Sequence, residues 1–350
     1  MLSSGHHAEG MSRHDGRDDV SSRALSRDAV TPAKAGAQST VQQWLLLEKA
    51  KPQGRCGGVS VKAPKFSYVR AASVDEVLRL LDEHGDEARI LAGGQSLMPT
   101  LNMRLSQPRL LIDINRLDAL GGISLQGDRV RIGAMTRHAE VAGSEIVARH
   151  LPLIAEAMPH VAHVAVRNRG TFGGSIALAD PAAEMPACVL ALGATLVVQS
   201  VRGRREVAAG DFFKGLYETA RQPDELLIEV LIPVQRPNAV SVFLELARRH
   251  GDFAIAGIAS HLTFDRQTVT GARMVYFGSE DRPTLASGAA AALEGRRLDI
   301  ATRDAAAAAL THDLAPMSNA QGSARLRLQL QRVLTKRALD TVLHRDRATA

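Results

Sequence analysis

Ile90-Leu91-Ala92-Gly93-Gly94-Gln95-Ser96-Leu97 and Arg169-Gly170-Thr171-Phe172-Gly173-Gly174-Ser175 decide the reading of this chain. Each is built on a Gly-Gly pair and followed by a hydroxyl residue. Backbone N–H groups can converge on a pyrophosphate without help from lysine, provided that residues lacking Cβ stand at the point of closest approach. Gly93-Gly94 and Gly173-Gly174 meet that need. Gln95, Ser96, Thr171 and Ser175 add neutral donors, and Ser96 also suits the cap of a helix whose first amides face the same anion. A bound dinucleotide is the functional reading, and two tight turns are the plain one. The repetition of the pattern favours the dinucleotide. Neither loop has the spacing G-x-G-x-x-G or G-x-x-x-x-G-K-[ST], so a Rossmann or P-loop site loses its main support and another fold is required.

The totals exclude several classes. A chain of 350 residues with 45% hydrophobic and 23% charged residues has the composition of a soluble protein of two or three domains. No run is long and apolar enough to span a membrane. The net charge of +6 lies at the ends: residues 1–62 carry +3 and residues 321–350 carry +5, which leaves −2 for residues 63–320. A basic tail and a basic terminal helix make no groove, and three Tyr and one Trp offer little to stack bases on, so nucleic acid is not an expected partner. Cys56 and Cys188 are too few for an iron–sulfur cluster, which takes about four thiolates. Without Cys-x-x-Cys or His-x-x-x-His pairs there is no structural zinc signature, and His160 and His163 read as surface or core histidines. Scarce cysteine and no secretory signal point to the cytoplasm.

Along the chain, residues 1 to about 60 mix charge with scattered Ser, Gly and His and show no sustained period beyond Trp44-Leu45-Leu46-Leu47, which reads as disorder. Regular patterning begins at Lys65. Ser73-Val74-Asp75-Glu76 caps a helix with Val77, Leu80 and Leu81 inward. Ile90-Leu91-Ala92 and Arg109 to Ile114 read as strands, so residues 63–118 form a small α/β unit with a parallel sheet covered on both faces. A second unit, residues 119–238, has a strand at Val130 to Ala134 and a helix from Thr136 to Ile146 with Ala139 and Val141 inward. A short strand at His163-Val164-Ala165-Val166 precedes the second glycine loop. A hairpin joins Ala194–Gln199 to Arg205–Ala208 across Arg202-Gly203, and a strand over Asp224 to Val230 closes the unit. One glycine loop per unit leaves a crevice between them. In residues 239–345, Val240–Arg248, Ala254–Phe264 and Thr268–Gly278 read as three antiparallel strands, with a turn at Asp265-Arg266-Gln267. Helices follow over Thr284–Leu293, Ala301–Leu310 and Ser323–His344. The last places Leu326, Leu330, Val333, Leu334 and Ala338 on one stripe and Arg327, Arg332 and Lys336 outside it.

The ordered set of the first loop, Leu111-Ile112-Asp113-Ile114, Ile132-Gly133-Ala134-Met135-Thr136, Thr171-Phe172-Gly173-Gly174-Ser175 and Ala179-Asp180-Pro181 closely resembles the FAD-binding (medium) subunit of the molybdenum hydroxylase or xanthine dehydrogenase family, of the carbon monoxide dehydrogenase type. The resemblance runs from about Lys65 to about His344. It implies an α+β fold: a two-part, PCMH-like FAD-binding domain of two small α/β units, then a C-terminal domain of three antiparallel strands packed on helices. It implies that Ile90, Leu91, Ala92, Gly93, Gly94, Gln95, Ser96 and Leu97, with Thr171, Phe172, Gly173, Gly174 and Ser175, hold the FAD pyrophosphate. Phe172 departs from the aliphatic residue common in relatives, and a shift in ring packing is expected from it. Asp180 and Glu184 are candidates for ribose or adenine hydroxyls, and an Asp-Pro turn is the equal alternative for Asp180. Thr136 is a further candidate, with a helix N-cap as its alternative. Arg248-Arg249-His250-Gly251-Asp252-Phe253-Ala254 is similar to the segment that passes near the flavin ring. Arg249 is there either a cation for the reduced flavin or part of a solvated strand end. Relatives begin near Lys65, so residues 1–62 are expected to be an extension or a mis-set start, with Val59 or Val61 as non-Met starts.

The function so implied is an oxidoreductase subunit that carries electrons on FAD. It accepts them from an iron–sulfur subunit served by a molybdopterin subunit, and passes them to NAD, a quinone or another acceptor. No catalytic acid–base set and no metal ligand is assigned. A self-contained flavin oxidase or reductase is the alternative, although none of Tyr68, Tyr217 and Tyr276 sits in a motif for a proton donor. A structural assembly subunit with a vestigial pocket is the second.

Overall fold

The loops of interest lie against two of the four sheets that a computed structural model describes over residues 62–349. The expectation for residues 1–62 falls outside the described residues except at Lys62. The first unit contains β1 (Ser67–Arg70), α1 (Val74–His84), β2 (Ala88–Leu91), α2 (Leu97–Asn102) and β3 (Leu110–Asp113). Ser73 Oγ accepts from Glu76 N at 3.2 Å, and the Glu76 carboxylate reaches back to Ala72 N at 2.7 Å. Two orphan amides are satisfied there, and α1 starts where its sequence predicts. Val77, Leu78 and Leu81 are its buried face. The strands are parallel in the order β1-β3-β2. Central β3 is buried throughout, whereas β1 is largely exposed, so the expected covering of both faces is realised at β3 alone. The first glycine loop leaves the carboxyl end of β2, the edge of a parallel sheet where ligands tend to sit.

The second unit runs through β4 (Ile123–Gln126), β5 (Arg129–Gly133), α3 (His138–Ala142), α4 (Glu145–His150), α5 (Pro152–Ala157), α6 (Val164–Arg167), α7 (Phe172–Leu178) and α8 (Glu184–Ala191). It continues with β6 (Thr195–Ser200), β7 (Gly203–Ala208), α9 (Ala209–Phe212), β8 (Phe213–Gly215), β9 (Glu218–Thr219) and β10 (Leu226–Pro233). Its main sheet is antiparallel, β4-β5-β10-β6-β7, with the expected β6–β7 hairpin at one edge. Two expectations are corrected. The strand expected over His163–Val166 is helix α6: Val166, Arg167 and Asn168 donate back to the carbonyls of His163 and Val164. Its valines gave a strand-like pattern, but Val164 is exposed and has no sheet to join. The helix expected over Thr136–Ile146 is broken at Gly143-Ser144, where Ser144 Oγ accepts from Val147 N at 3.3 Å and starts a new helix.

The C-terminal part has β11 (Ala239–Leu246), β12 (Ala256–Asp265), β13 (Thr268–Phe277), β14 (Thr284–Leu285), α10 (Ser287–Ala291), α11 (Ile300–Asp313) and α12 (Ala324–Thr349). The three expected strands pair antiparallel in sequence order, and Arg266 makes the turn between β12 and β13 with φ +52°. Thr284 and Leu285 pair with β13 as a short edge, which shortens the helix expected from Thr284. One apolar core is common to the second unit and this sheet: Phe172, Ile176 and Met185 pack in the same cluster as Phe243, Val275 and Phe277. Helices α5, α7 and α8 are therefore clasped between two sheets.

In α12 the expected stripe holds only in part: Leu334 and Ala338 are buried and Leu330 packs against the core, but the N-terminal end differs. Leu326 is 46% exposed and Arg327 only 3%. Arg327 Nη1 donates to Gly278 O at 2.7 Å and Nη2 to Asn319 Oδ1 at 2.6 Å, while Gln331 Nε2 donates to Phe277 O and Ser279 Oγ, both at 3.0 Å. Thr335 Oγ1 lies 2.7 Å from Tyr276 OH. The buried face thus reads Arg327, Gln331, Leu334, Thr335, Ala338, Leu339 and Val342, which keeps Leu334 and Ala338 of the stripe and adds three polar side chains. Carbonyls at the end of β13 have run out of strand partners, and α12 supplies them. Gly278 also donates its N–H to Pro181 O at 2.8 Å, so this helix end braces the turn before α8. An exposed arginine tolerates replacement within about 0.5 kcal/mol. Arg327→Ala is expected to lower stability in denaturant unfolding by at least about 1.5 kcal/mol, because charged bonds to buried carbonyls are lost.

Candidate functional site

The two glycine loops meet backbone to backbone. A Cβ added at Gly93 would strike the carbonyl oxygen of Arg169 and lie 2.8 Å from Gly170 Cα, so only glycine permits this approach. Gly94 has φ +73°, the left-handed region, and turns the chain into α2. Across the junction, a Cβ on Gly174 would come within 3.9 Å of Ala92 Cβ. Gly173 packs as tightly on Ala134, whose Cβ would be 2.5 Å from its own.

The loops differ in what their amides do. In the second loop, Phe172 N donates to Thr136 O and Gly173 N to Ala134 O, each at 2.9 Å. Gly174 N donates to Thr171 Oγ1, and Ser175 N to Thr171 O, both at 3.1 Å. All four donors are spent: two fix α7 to the segment that follows β5, and two cap the helix on Thr171. In the first loop, the N–H groups of Gly93, Gly94, Gln95, Ser96 and Leu97 have no acceptor among the described residues. Five successive open amides around a left-handed glycine form a nest for an anion. Ser96 occupies the N-cap position of α2 without a capping bond from its hydroxyl, and Gln95 Nε2 donates to Gly93 O at 3.2 Å.

A cavity of about 580 Å³ opens on this nest. Leu91, Ala92, Gly93, Gly94 and Gln95 line it, with Met98, Pro99 and Asn102 from α2. Arg70, Arg116 and Arg169 also line it, three cationic residues against one acidic residue, Asp113. Asp113 accepts from Tyr68 OH, from Arg70 Nε at 3.4 Å and from Asn115 N at 2.9 Å. Burial raises its carboxyl pKa, but these donors outweigh it and hold the group ionised below its ordinary value. Even so, the cavity keeps an excess of positive charge, which suits a ligand with two negative charges. Asn115 Nδ2 donates to Ala92 O at 2.8 Å, and Asn115 Oδ1 accepts from Arg137 Nη2 at 2.8 Å. Arg137 Nη1 in turn donates to Arg169 O.

Open amides, an approach closed to any Cβ and a cationic wall fit a dinucleotide pyrophosphate. Comparison with known proteins agrees. Residues 64–235 match the family described as FAD binding domain in molybdopterin dehydrogenase, and residues 241–342 match the CO dehydrogenase flavoprotein C-terminal domain. The chain belongs to the FAD-binding subunits of the molybdopterin dehydrogenase family. The 6-hydroxypseudooxynicotine dehydrogenase complex subunit alpha of Paenarthrobacter nicotinovorans is 41% identical over 83% of this chain and 98% of its own length. Among solved structures, carbon monoxide dehydrogenase from Hydrogenophaga pseudoflava superposes with a TM-score of 0.78 at 37% identity, over 80% of this chain and 97% of the other. Quinoline 2-oxidoreductase from Pseudomonas putida 86 gives 0.76 at 39%, over 82% and 99%. The family makes the chain an oxidoreductase subunit with FAD as its cofactor. Among the described residues no helix is long and apolar enough to cross a membrane.

Within this FAD-binding subunit the remaining expected residues are dispersed. Ile90 packs into the core under the parallel sheet, and Leu97 is the first residue of α2, contributing an open amide and no cavity-lining side chain. Phe172 is fully buried in the large core, so its aromatic ring serves packing there. Thr136 is buried, and its hydroxyl donates to Gly122 O at 3.1 Å; the N-cap proposed for it belongs to Arg137. Asp180 Oδ1 accepts from Ala182 N at 2.9 Å in the turn that its sequence suggested, and Tyr217 OH donates to Oδ2 at 3.3 Å. Arg249 is exposed, 4.0 Å from Asp252, in a loop whose Gly251 presses on the Ala162 carbonyl. It does not line the cavity. Sequence reasoning missed Arg70, Asn115, Arg116 and Arg137 as site residues. The one available signal was polar Asp113-Ile114-Asn115-Arg116 directly after a strand end.

Glu184 and Glu245 form a second electrostatic feature between the second unit and β11. Burial, with the Asp180 charge, pushes the Glu184 carboxyl up to about 7, and burial with Glu184 pushes Glu245 up to about 8. Both groups then hold protons that the unfolded chain has released, so the native state binds more protons and stability falls as pH rises through this range. Thermal unfolding of flavin-free protein from pH 6 to pH 9 is expected to show that decline, and Glu184→Gln should flatten it. Identical slopes in the two proteins would remove this pair from the account.

Proposed function

We propose that this chain is the flavin subunit through which electrons leave a molybdenum hydroxylase. An iron–sulfur subunit delivers them, a molybdopterin subunit generates them by oxidising the substrate, and an external acceptor removes them. The bound FAD supplies the redox chemistry, taking electrons from the cluster and giving them up to the acceptor. The chain's own residues hold and orient that group. The amides of Gly93 to Leu97 cradle the pyrophosphate, and Arg70, Arg116 and Arg169 balance its charge. The second loop, Thr171 to Ser175, acts as the platform against which the first is set.

The observation that carries this reading is the contact of Gly93 with Arg169 and Gly170 beside five open amides. Partners are required on chemical grounds as well, because two cysteines cannot hold an iron–sulfur cluster in this chain. Relatives named as one subunit of a dehydrogenase complex, or as a medium chain, support the same division of labour. The domain division falls at about residue 238, and the complex works in the cytoplasm.

Purification from the native source is expected to give a yellow complex containing molybdenum and iron, with about one FAD per copy of this chain. Gly93→Ala should expel the flavin, because its Cβ falls on the Arg169 carbonyl. A colourless protein, a flavoprotein free of both metals, or Gly93→Ala that retains full flavin would contradict the proposal.

A further inference from the structure

The two loops touch through glycine, and van der Waals contact at Gly93 limits how closely they approach without tying them together. A side-chain bridge supplies the tie. Asn115 Nδ2 donates to the first loop at Ala92 O, 2.8 Å, and more weakly at Leu91 O, 3.3 Å. Its other end accepts from Arg137 Nη2 at 2.8 Å, and Arg137 Nη1 donates to the second loop at Arg169 O. The orientation of the Asn115 amide follows from its surroundings: the NH2 group meets carbonyl oxygens and Asp113 Oδ1 at 2.7 Å, and the oxygen meets a guanidinium, so a flipped amide would oppose every neighbour. Asp113 is itself fixed by Tyr68 and Arg70.

Arg137 is equally well anchored. Its backbone bridges to Thr171, with His138 N donating to Gly170 O at 3.0 Å and Phe172 N to Thr136 O at 2.9 Å. The arginine therefore rides on the same strut that uses up the amides of the second loop. We propose that Asn115 and Arg137 are positioning residues, a clamp that sets the separation of the two glycine loops and through it the affinity for FAD. This rests on the reading of the loops as the FAD cradle. The planar fork of Arg137 serves two acceptors at a fixed spacing, one on each side of the junction, and a lysine ammonium has the charge without that geometry.

The test is FAD titration of the flavin-free full-length chain, with thermal unfolding of each flavin-free variant alongside. Asn115→Ala and Arg137→Ala are each expected to weaken FAD binding by about ten- to hundredfold, the loss of one charge-assisted bond. The double variant should be no weaker than the worse single, because both changes break one bridge. Arg137→Lys should bind as poorly as Arg137→Ala, and flavin-free stability should stay near wild type. Wild-type affinity in Arg137→Lys would overturn the clamp in favour of a simple charge, and losses that multiply in the double variant would overturn it in favour of independent contacts. If Arg137→Ala does not fold, Asn115→Ala, Arg137→Lys and their combination carry the same comparison. Failure of the wild-type chain to take FAD would sink the cradle reading itself, whereas normal binding by every variant would sink the clamp alone.

Discussion

Everything at this site depends on two stretches of main chain lying closer than side chains allow. Gly93 rests on Arg169 and Gly170 with no room for a methyl group, and Gly173 rests on Ala134 in the same way. The first contact joins a parallel three-stranded sheet to an antiparallel five-stranded one. The second presses helix α7 onto the segment after β5. Two folding units, linked also by the Asn115–Arg137 hydrogen bond, are thereby brought to one edge, with the carboxyl ends of β2 and β3 facing the cavity.

Similar composition does not give the loops similar tasks. A backbone N–H can serve one strong acceptor, and the second loop has given its donors to Ala134, Thr136 and Thr171. The first loop has kept its donors open because Gly94, at φ +73°, turns the chain before α2 can use them. One loop is therefore a platform and the other a receptor. The arginines on the cavity wall complete the receptor with charge, and the buried Asp113 prevents them from being merely a cluster of like charges. The core under Phe172 and Phe277 and the brace from α12 to Gly278 keep the platform rigid.

Much of this was legible in the sequence. Glycine pairs announce close backbone approach by composition alone, Ser73 and Glu76 mark a helix start through local bonds, and the long strands β11, β12 and β13 follow from β-rich runs with a polar turn. The two loops, the fold class and the family could be read for that reason. What escaped depends on partners distant in sequence. Arg327 looks like a solvent-facing residue until the unpaired carbonyl of Gly278 is set beside it. Val164 and Val166 look like a strand until no neighbouring strand is found. Asn115 and Arg137 are unremarkable polar residues in a turn and at a helix start, and their joint task appears only when Ala92 and Arg169 are brought within reach. The division between platform and receptor was hidden for the same reason, since it depends on where each amide points.

That division is the central claim, and residue-resolved amide hydrogen exchange with and without FAD tests it most directly. The account predicts that the amides of Gly93 to Leu97 exchange quickly in the flavin-free chain and become strongly protected when FAD binds, while those of Phe172 to Ser175 are protected in both states. Fast exchange at Gly93 to Leu97 in the FAD-bound chain, or protection gained only at Phe172 to Ser175, would contradict it.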